Sequence, residues 1–101
     1  MHPVDQAIRD KVIARKHELM ARSPKDLRRL APYTSEPFDA AGKTHELSIW
    51  HDKTTSGEDI VVVQCKRHVL LGYGNMFTEG LVLDSTDRIR DAEEEAMWEY
   101  K

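Results

Sequence analysis

The spacing of apolar residues predicts a helix at the start of the chain. No Gly or Pro lies between Asp5 and Arg22, and apolar side chains recur every three to four residues, which is the period of an amphipathic helix. The stripe consists of Val4, Ile8, Val12, Leu19 and Met20. On the opposite side, Arg9, Lys16 and Arg22 are expected to face water.

A second, short helix is predicted directly after the first. Ser23 can cap the free amides of a new helix, and Pro24 fits its first position. Pro32 cannot continue a helix, so this element ends before it. The following segment, 33–43, has the composition of turns, with a short edge strand around Phe38 and Asp39.

Residues 44–71 alternate between apolar and polar positions and predict a long antiparallel hairpin. Gly57 takes a positive φ without strain, so a three-residue loop of Thr55, Ser56 and Gly57 is favoured. This loop sets the register and creates one largely apolar face and one mixed face. The expected pairs are His51–Val61, Ile49–Val63, Leu47–Cys65 and His45–Arg67 on one face, and Trp50–Val62, Ser48–Gln64 and Glu46–Lys66 on the other.

The last third of the chain allows two interpretations. In one, the strand 80–84 leads into a single helix from Thr86 to Tyr100. In the other, which we favour, the turn formers of 84–87 return the chain into a short strand over 88–90, followed by a helix from about Asp91. In both, Ala92, Ala96, Met97 and Tyr100 share a helical face that can cover the sheet.

Together these elements predict an α+β fold: an antiparallel meander of three to five strands packed with N-terminal helices and a C-terminal helix. A chain of 101 residues has the size of one domain, which we expect to span 1–101. Within it, 5–31 is helical, the sheet covers about 36–90, and the last helix covers about 91–100.

Composition indicates a soluble protein of the cytoplasm. Apolar residues make up 40% of the chain, which is more than a disordered chain contains. Charged residues make up 33%, which is too many for a membrane protein. Charged side chains are spread through the first twenty residues, so they do not resemble a secretory signal. The single cysteine, Cys65, cannot form an internal disulfide, in keeping with a reducing compartment.

Charge is distributed unevenly along the chain. Residues 1–33 hold eight Lys or Arg against four Asp or Glu, whereas the remainder holds seven against fourteen. This basic segment supports an alternative function, nucleic-acid binding through residues 22–29. The phosphate-contacting residues would be Arg22, Lys25, Arg28 and Arg29.

No motif in the sequence specifies catalysis, a cofactor or a metal. In "LLGYGNMFTEGL" (70–81), Phe77 stands where a dinucleotide fingerprint needs its third glycine, so the glycines are better explained by a hairpin turn and a bulge at Gly80. An enzyme using Cys65 with His51 or His68 is a further alternative. However, a cysteine within the apolar run around "VVVQC" is expected to be buried and unreactive.

The leading hypothesis is a small non-catalytic protein-binding or regulatory domain, which binds either another protein or a second copy of itself. Trp50, Ile60 and Val62 project from the mixed face and are either covered by a helix or exposed as an apolar patch. Aromatic and methionine side chains of the 70–81 loop suit an interface. The candidate partner-binding residues are Trp50, Tyr73, Asn75, Met76 and Phe77.

Overall fold

The computed structural model describes residues 2–68 and 74–100. Two helices, α1 (Pro3–Met20) and α2 (Pro24–Arg28), precede an open five-stranded antiparallel sheet. The strands are β1 (Tyr33–Ala40), β2 (Lys43–Lys53), β3 (Asp59–His68), β4 (Gly74–Leu83) and β5 (Ile89–Asp91), and a 3₁₀ helix covers Glu94–Tyr100. The α+β class, the antiparallel meander and the N-terminal helical segment are thereby confirmed.

Helix α1 packs on the sheet along the predicted stripe. It begins at Pro3 because the Nδ1 atom of His2 accepts a hydrogen bond from the Val4 amide at 3.1 Å. Its buried residues are Asp5, Ile8, Val12, Lys16 and Leu19. The expectation that Lys16 faces water is wrong: its side chain lies under the sheet edge, where the ammonium contacts Glu79 at 3.1 Å and Asp91 at 3.0 Å.

The β2–β3 hairpin has the predicted register. Gly57 has a φ of 85°, and the Thr54 amide donates to the Glu58 carbonyl at 2.8 Å, which closes the loop. All expected pairs from His51–Val61 to Leu47–Cys65 are present. The ladder stops there, so the two outermost expected pairs, His45–Arg67 and Glu46–Lys66, are absent from it.

The outer strands differ from the sequence expectation in length. Strand β1 has eight residues rather than a short stretch around Phe38, and it accommodates Pro37 because it lies at the sheet edge. A two-residue turn, with φ of 52° at Ala41 and 76° at Gly42, connects it to β2. At the other edge, the Asp84 carboxylate accepts from the Thr86 amide at 2.8 Å, and the chain returns as β5, which confirms the turn-and-strand interpretation.

The sheet buries a different cluster on each face. Helices α1 and α2 cover the helix face, where the core consists of Ile8, Val12, Leu19, Leu27, Leu47, Ile49, Val61, Val63, Cys65, Leu81 and Leu83. On the opposite side, the outer face, a smaller cluster contains Ile60, Val62, Val82 and Met97. The apolar residues Ile60 and Val62 are therefore covered rather than exposed.

The predicted C-terminal α-helix is wrong, because residues 94–100 form a 3₁₀ helix. An isolated helix this short is marginal in water, and Trp98 and Tyr100 have low helix propensity. A period of three residues places Met97 and Tyr100 on one side, and both pack onto the outer face. Trp98 is 70% exposed.

Gly80 has a packing role instead of the expected bulge. The β3–β4 ladder runs without interruption past the Val62–Gly80 pair. A Cβ atom at Gly80 would lie 2.7 Å from the Met97 Sδ atom and 2.9 Å from the Val61 carbonyl oxygen. The glycine therefore allows the C-terminal 3₁₀ helix to lie directly on the sheet.

Candidate functional site

A cleft of about 860 Å³ opens at one end of the sheet, where the β1–β2 and β3–β4 hairpins extend past the last β2–β3 pair. Its walls include His2 at the start of α1, Lys43–Glu46 in β2, and Lys66 and Arg67 in β3. Trp50 lines it from further along β2. We call this feature the hairpin cleft.

Two strand edges face each other across the hairpin cleft without pairing in the sheet ladder. Among the residues that the structure describes, Lys43–Glu46 have ladder partners only in β1, and Lys66–His68 only in β4. The His51 amide donates to the Pro32 carbonyl at 2.9 Å, on the β1 side. Because backbone groups alternate sides along a strand, those of Thr44 point away from β1 and into the cleft.

The two faces of the sheet give the cleft two chemically different sides. Strand side chains alternate, so Lys43 and His45 share the helix face with Leu47. Arg67 shares that face with Cys65, whereas Trp50, Glu46 and Lys66 lie on the outer-face side. Cationic side chains and histidines thus collect on the helix-face side, while the other side carries an aromatic residue and charges of both signs.

The cations of the cleft differ in how they are paired. Arg67 contacts Asp5 at 2.9 Å, and the hydrogen bond that it donates holds the pKa of Asp5 below its usual value. Lys43 and Lys66 are exposed, and neither forms an ion pair with any residue in 2–68 or 74–100. The nearby acid, Glu46, accepts a hydrogen bond from the Ser35 hydroxyl. The cleft is therefore electropositive.

Trp50 is held between two tyrosines on the outer face. Its ring centroid lies 4.5 Å from that of Tyr33 and 5.9 Å from that of Tyr100. The Gln64 side-chain amide donates to the Tyr100 carbonyl, which fixes the 3₁₀ helix beside the cleft. The Trp50 indole N–H is buried and has no hydrogen-bond partner in the described part of the chain.

The structure separates the predicted partner-binding residues. Trp50 lines the hairpin cleft, and Asn75 donates to the Asp5 carboxylate at 2.9 Å, next to Arg67. Phe77 packs against the core of the helix face, whereas Met76 is half-buried and pairs with Lys66 in the ladder. Tyr73, with the rest of 69–73, lies outside the described residues.

The basic segment of the nucleic-acid alternative is partly engaged in the fold. Arg22, Lys25 and Arg29 are exposed. Arg28 contacts Asp87 at 2.7 Å and Asp59 at 3.5 Å, and it also donates to the Asp84 carbonyl. One of the four candidate phosphate ligands is therefore bound to acidic residues of its own chain.

Asp59 is the centre of a charged cluster at the end of the sheet opposite the cleft. Its carboxylate lies 2.9 Å from the His51 Nε2 atom and 3.1 Å from the Lys53 ammonium. Burial raises the pKa of Asp59, but the hydrogen bonds from His51 and Lys53 outweigh it and hold the pKa below its usual value. We call Arg28, His51, Lys53 and Asp59 the Asp59 network.

The residues of the enzyme alternative do not come together. Cys65 is buried in the helix-face core, and burial raises the pKa of its thiol to about 11. The ring of His51 is held by Asp59 and by the Leu30 carbonyl. In the described ranges, no group of three or more His, Cys, Asp or Glu side chains is arranged to hold a metal ion.

Sequence reasoning missed the cleft and two of its residues, Lys43 and Lys66. A hairpin of equal strands was expected to pair to its end, which would have placed His45 opposite Arg67. Two charged basic side chains directly opposite each other destabilise an antiparallel pair. This unfavourable pair was the sequence feature that indicates an early end of the ladder.

Searches against protein families, curated proteins and solved structures find no match for this chain. Across the described residues, the helices are too short or too polar to cross a membrane. The geometry of the hairpin cleft on an open antiparallel sheet is therefore the basis for assigning a function.

Proposed function

We propose that this protein is a non-catalytic protein-binding domain and that its hairpin cleft receives an extended segment of a partner protein. The observation that carries the proposal is the pair of facing strand edges, Lys43–Glu46 and Lys66–His68. Within residues 2–68 and 74–100, neither edge has a ladder partner on the cleft side. Sheets with such edges recognise peptides by strand addition, in which backbone hydrogen bonds supply affinity and side-chain pockets supply specificity.

The size of the cleft agrees with this mode of binding. The four residues Lys43–Glu46 span about 13 Å at roughly 3.3 Å per residue, which matches a segment of four or five extended residues. Trp50 offers that segment an apolar contact. The lone, buried Cys65 supports a cytoplasmic site of action.

A selection from a displayed library of random decapeptides tests the proposal and does not require that the partner be identified first. Thr44→Pro removes the backbone N–H that points into the cleft, because proline has no amide hydrogen. Thr44→Ala is the matched control, since both variants lose the hydroxyl bond to Asp39 but only alanine keeps the N–H. Circular dichroism checks that both variants fold.

We expect peptides selected on the natural protein to bind Thr44→Ala with nearly unchanged affinity and Thr44→Pro at least tenfold more weakly. Equal binding to both variants, or no enrichment at all, would contradict strand addition in the cleft. Light scattering measures whether the protein self-associates. A dimer that dissociates when a selected peptide is added identifies a second copy of the chain as the partner.

A further inference from the structure

We infer that the segment bound in the hairpin cleft is acidic, with carboxylates at alternate positions and apolar side chains between them. This inference rests on the proposed function and names the chemistry of the partner. It follows from the different character of the two sides of the cleft, because alternate residues of an extended segment project to opposite faces of the sheet that they join.

The helix-face side of the cleft attracts carboxylates. Lys43 is exposed and unpaired within the described ranges, and His45 and Arg67 lie on the same side. The N-terminal end of α1 also reaches this side through His2, and the helix dipole places partial positive charge there. Asp5, in the first turn of α1, pairs with Arg67 and offsets part of the dipole, so the positive charge left on this side is that of Lys43.

The outer-face side attracts apolar groups. Trp50 contributes an aromatic surface, and Lys66 shares this side with the acidic Glu46, so charges of both signs are present. A segment whose second set of side chains is apolar would contact Trp50 without leaving a buried charge unpaired. The two sides together predict alternation of acidic and apolar residues rather than acidity alone.

Two acidic residues near the β5 edge of the sheet are engaged away from the cleft. Asp91 contacts Lys16 at 3.0 Å, and Asp87 contacts Arg28 at 2.7 Å. An acidic segment from a second protein chain therefore complements Lys43 on the helix-face side without breaking these contacts.

Three synthetic octapeptides test the inference by fluorescence anisotropy on the full chain. The first alternates glutamate with leucine, the second replaces each glutamate by glutamine, and the third groups the same four glutamates and four leucines into two blocks. We expect the alternating glutamate peptide to bind at least tenfold more tightly than either of the others, with affinity that falls as salt rises.

Matched lysine variants locate the effect. Lys43→Gln is expected to weaken binding of the alternating peptide at least fivefold. Lys66→Gln should weaken it less, because Lys66 lies beside Glu46 on the outer-face side, which the leucines face. Lys11→Gln, an exposed lysine in the middle of α1, should leave the dissociation constant within twofold. Circular dichroism confirms that each variant is folded.

The outcomes separate this inference from the proposed function. If library peptides bind in a way that depends on the Thr44 amide but are neutral or basic, the inference is overturned and the proposed function stands. If no peptide binds in a way that depends on the cleft, both the inference and the proposed function are overturned. Equal competition by a single-stranded RNA oligonucleotide would also overturn the inference, because it would mean that the cleft recognises negative charge without strand alternation.

Discussion

The two ends of the sheet differ in how their charged side chains are used. At one end, the Asp59 side chain is 6% exposed, and its carboxylate contacts His51, Lys53 and Arg28. Asp87, in the turn before β5, contacts Arg28 as well. At the cleft end, Lys43 and Lys66 are exposed and have no acidic partner in 2–68 or 74–100. We refer to these as the network end and the cleft end.

This difference assigns separate roles to the two ends. A buried charge is tolerated only when it is paired, so loss of one partner at the network end leaves another charge uncompensated and destabilises the fold. Exposed lysines stay hydrated and contribute little to stability. The network end therefore stabilises the domain, while the lysines of the cleft end contribute little to its stability.

Replacing the central acid of the network end should have the largest effect. Asp59→Ala is expected to lower the free energy of unfolding by about 3 kcal/mol, because His51 and Lys53 lose their buried acceptor. Asp39→Ala at the cleft end, which removes an exposed bond from Thr44, should cost at most about 1 kcal/mol. Urea denaturation measures both, and equal losses would remove the distinction between the ends.

Adding one methyl group under the C-terminal 3₁₀ helix should have the next largest effect. Gly80→Ala is expected to cost about 2 kcal/mol, since its Cβ would crowd the Val61 carbonyl oxygen as well as the flexible end of Met97. The cleft-end control, Gly42→Ala, meets no atom within 4 Å and loses only through its positive φ, about 1 kcal/mol. A smaller loss at Gly80 than at Gly42 would show that the 3₁₀ helix is displaced without cost.

Acid should weaken the network end selectively. The pKa of Asp59 is lowered in the folded protein, so its contribution is present above the unfolded value, near 4, and is lost as pH falls through the folded pKa. The difference in unfolding free energy between the natural protein and Asp59→Asn should therefore shrink below about pH 4. Urea titrations at pH 7 and at several acidic pH values measure it, and a constant difference would contradict the pairing.

The smallest stability effect is expected at the cleft. Lys43→Gln and Lys66→Gln should change the free energy of unfolding by no more than about 0.5 kcal/mol, because both side chains are exposed and unpaired in the described chain. The same variants are the ones expected to weaken peptide binding. A large loss of stability in either would mean that the lysine holds the fold rather than a ligand.

Patterns within short stretches of sequence correctly predicted the elements whose geometry depends on residues that are close in sequence. The stripe from Ile8 to Leu19 gave α1, and Gly57 gave the loop and register of the β2–β3 hairpin. The turn formers after Leu83 gave the return into β5. In each case the deciding interactions lie within a few residues or across one hairpin, so one stretch of sequence contains them.

The errors concern contacts between distant segments. Lys16 is buried because Glu79 and Asp91, far along the chain, meet it under the sheet. The C-terminal segment takes a 3₁₀ conformation that sets Met97 over Gly80, where a helical pattern alone favoured an α-helix. Of the candidate site, sequence reasoning found Trp50 but not Lys43 or Lys66, because the cleft exists only where two hairpins stop pairing.

By itself, the sequence determined the class of fold, the first helix and the pairing of β2 with β3, since periodicity and turn chemistry act locally. Tertiary structure decided which charges are paired and which are left available. Pairing requires that side chains from different elements meet, as Asp59 meets Arg28 and Asp5 meets Arg67. The hairpin cleft has the same origin, because it depends on where the β2–β3 ladder ends relative to α1 and the two projecting hairpins.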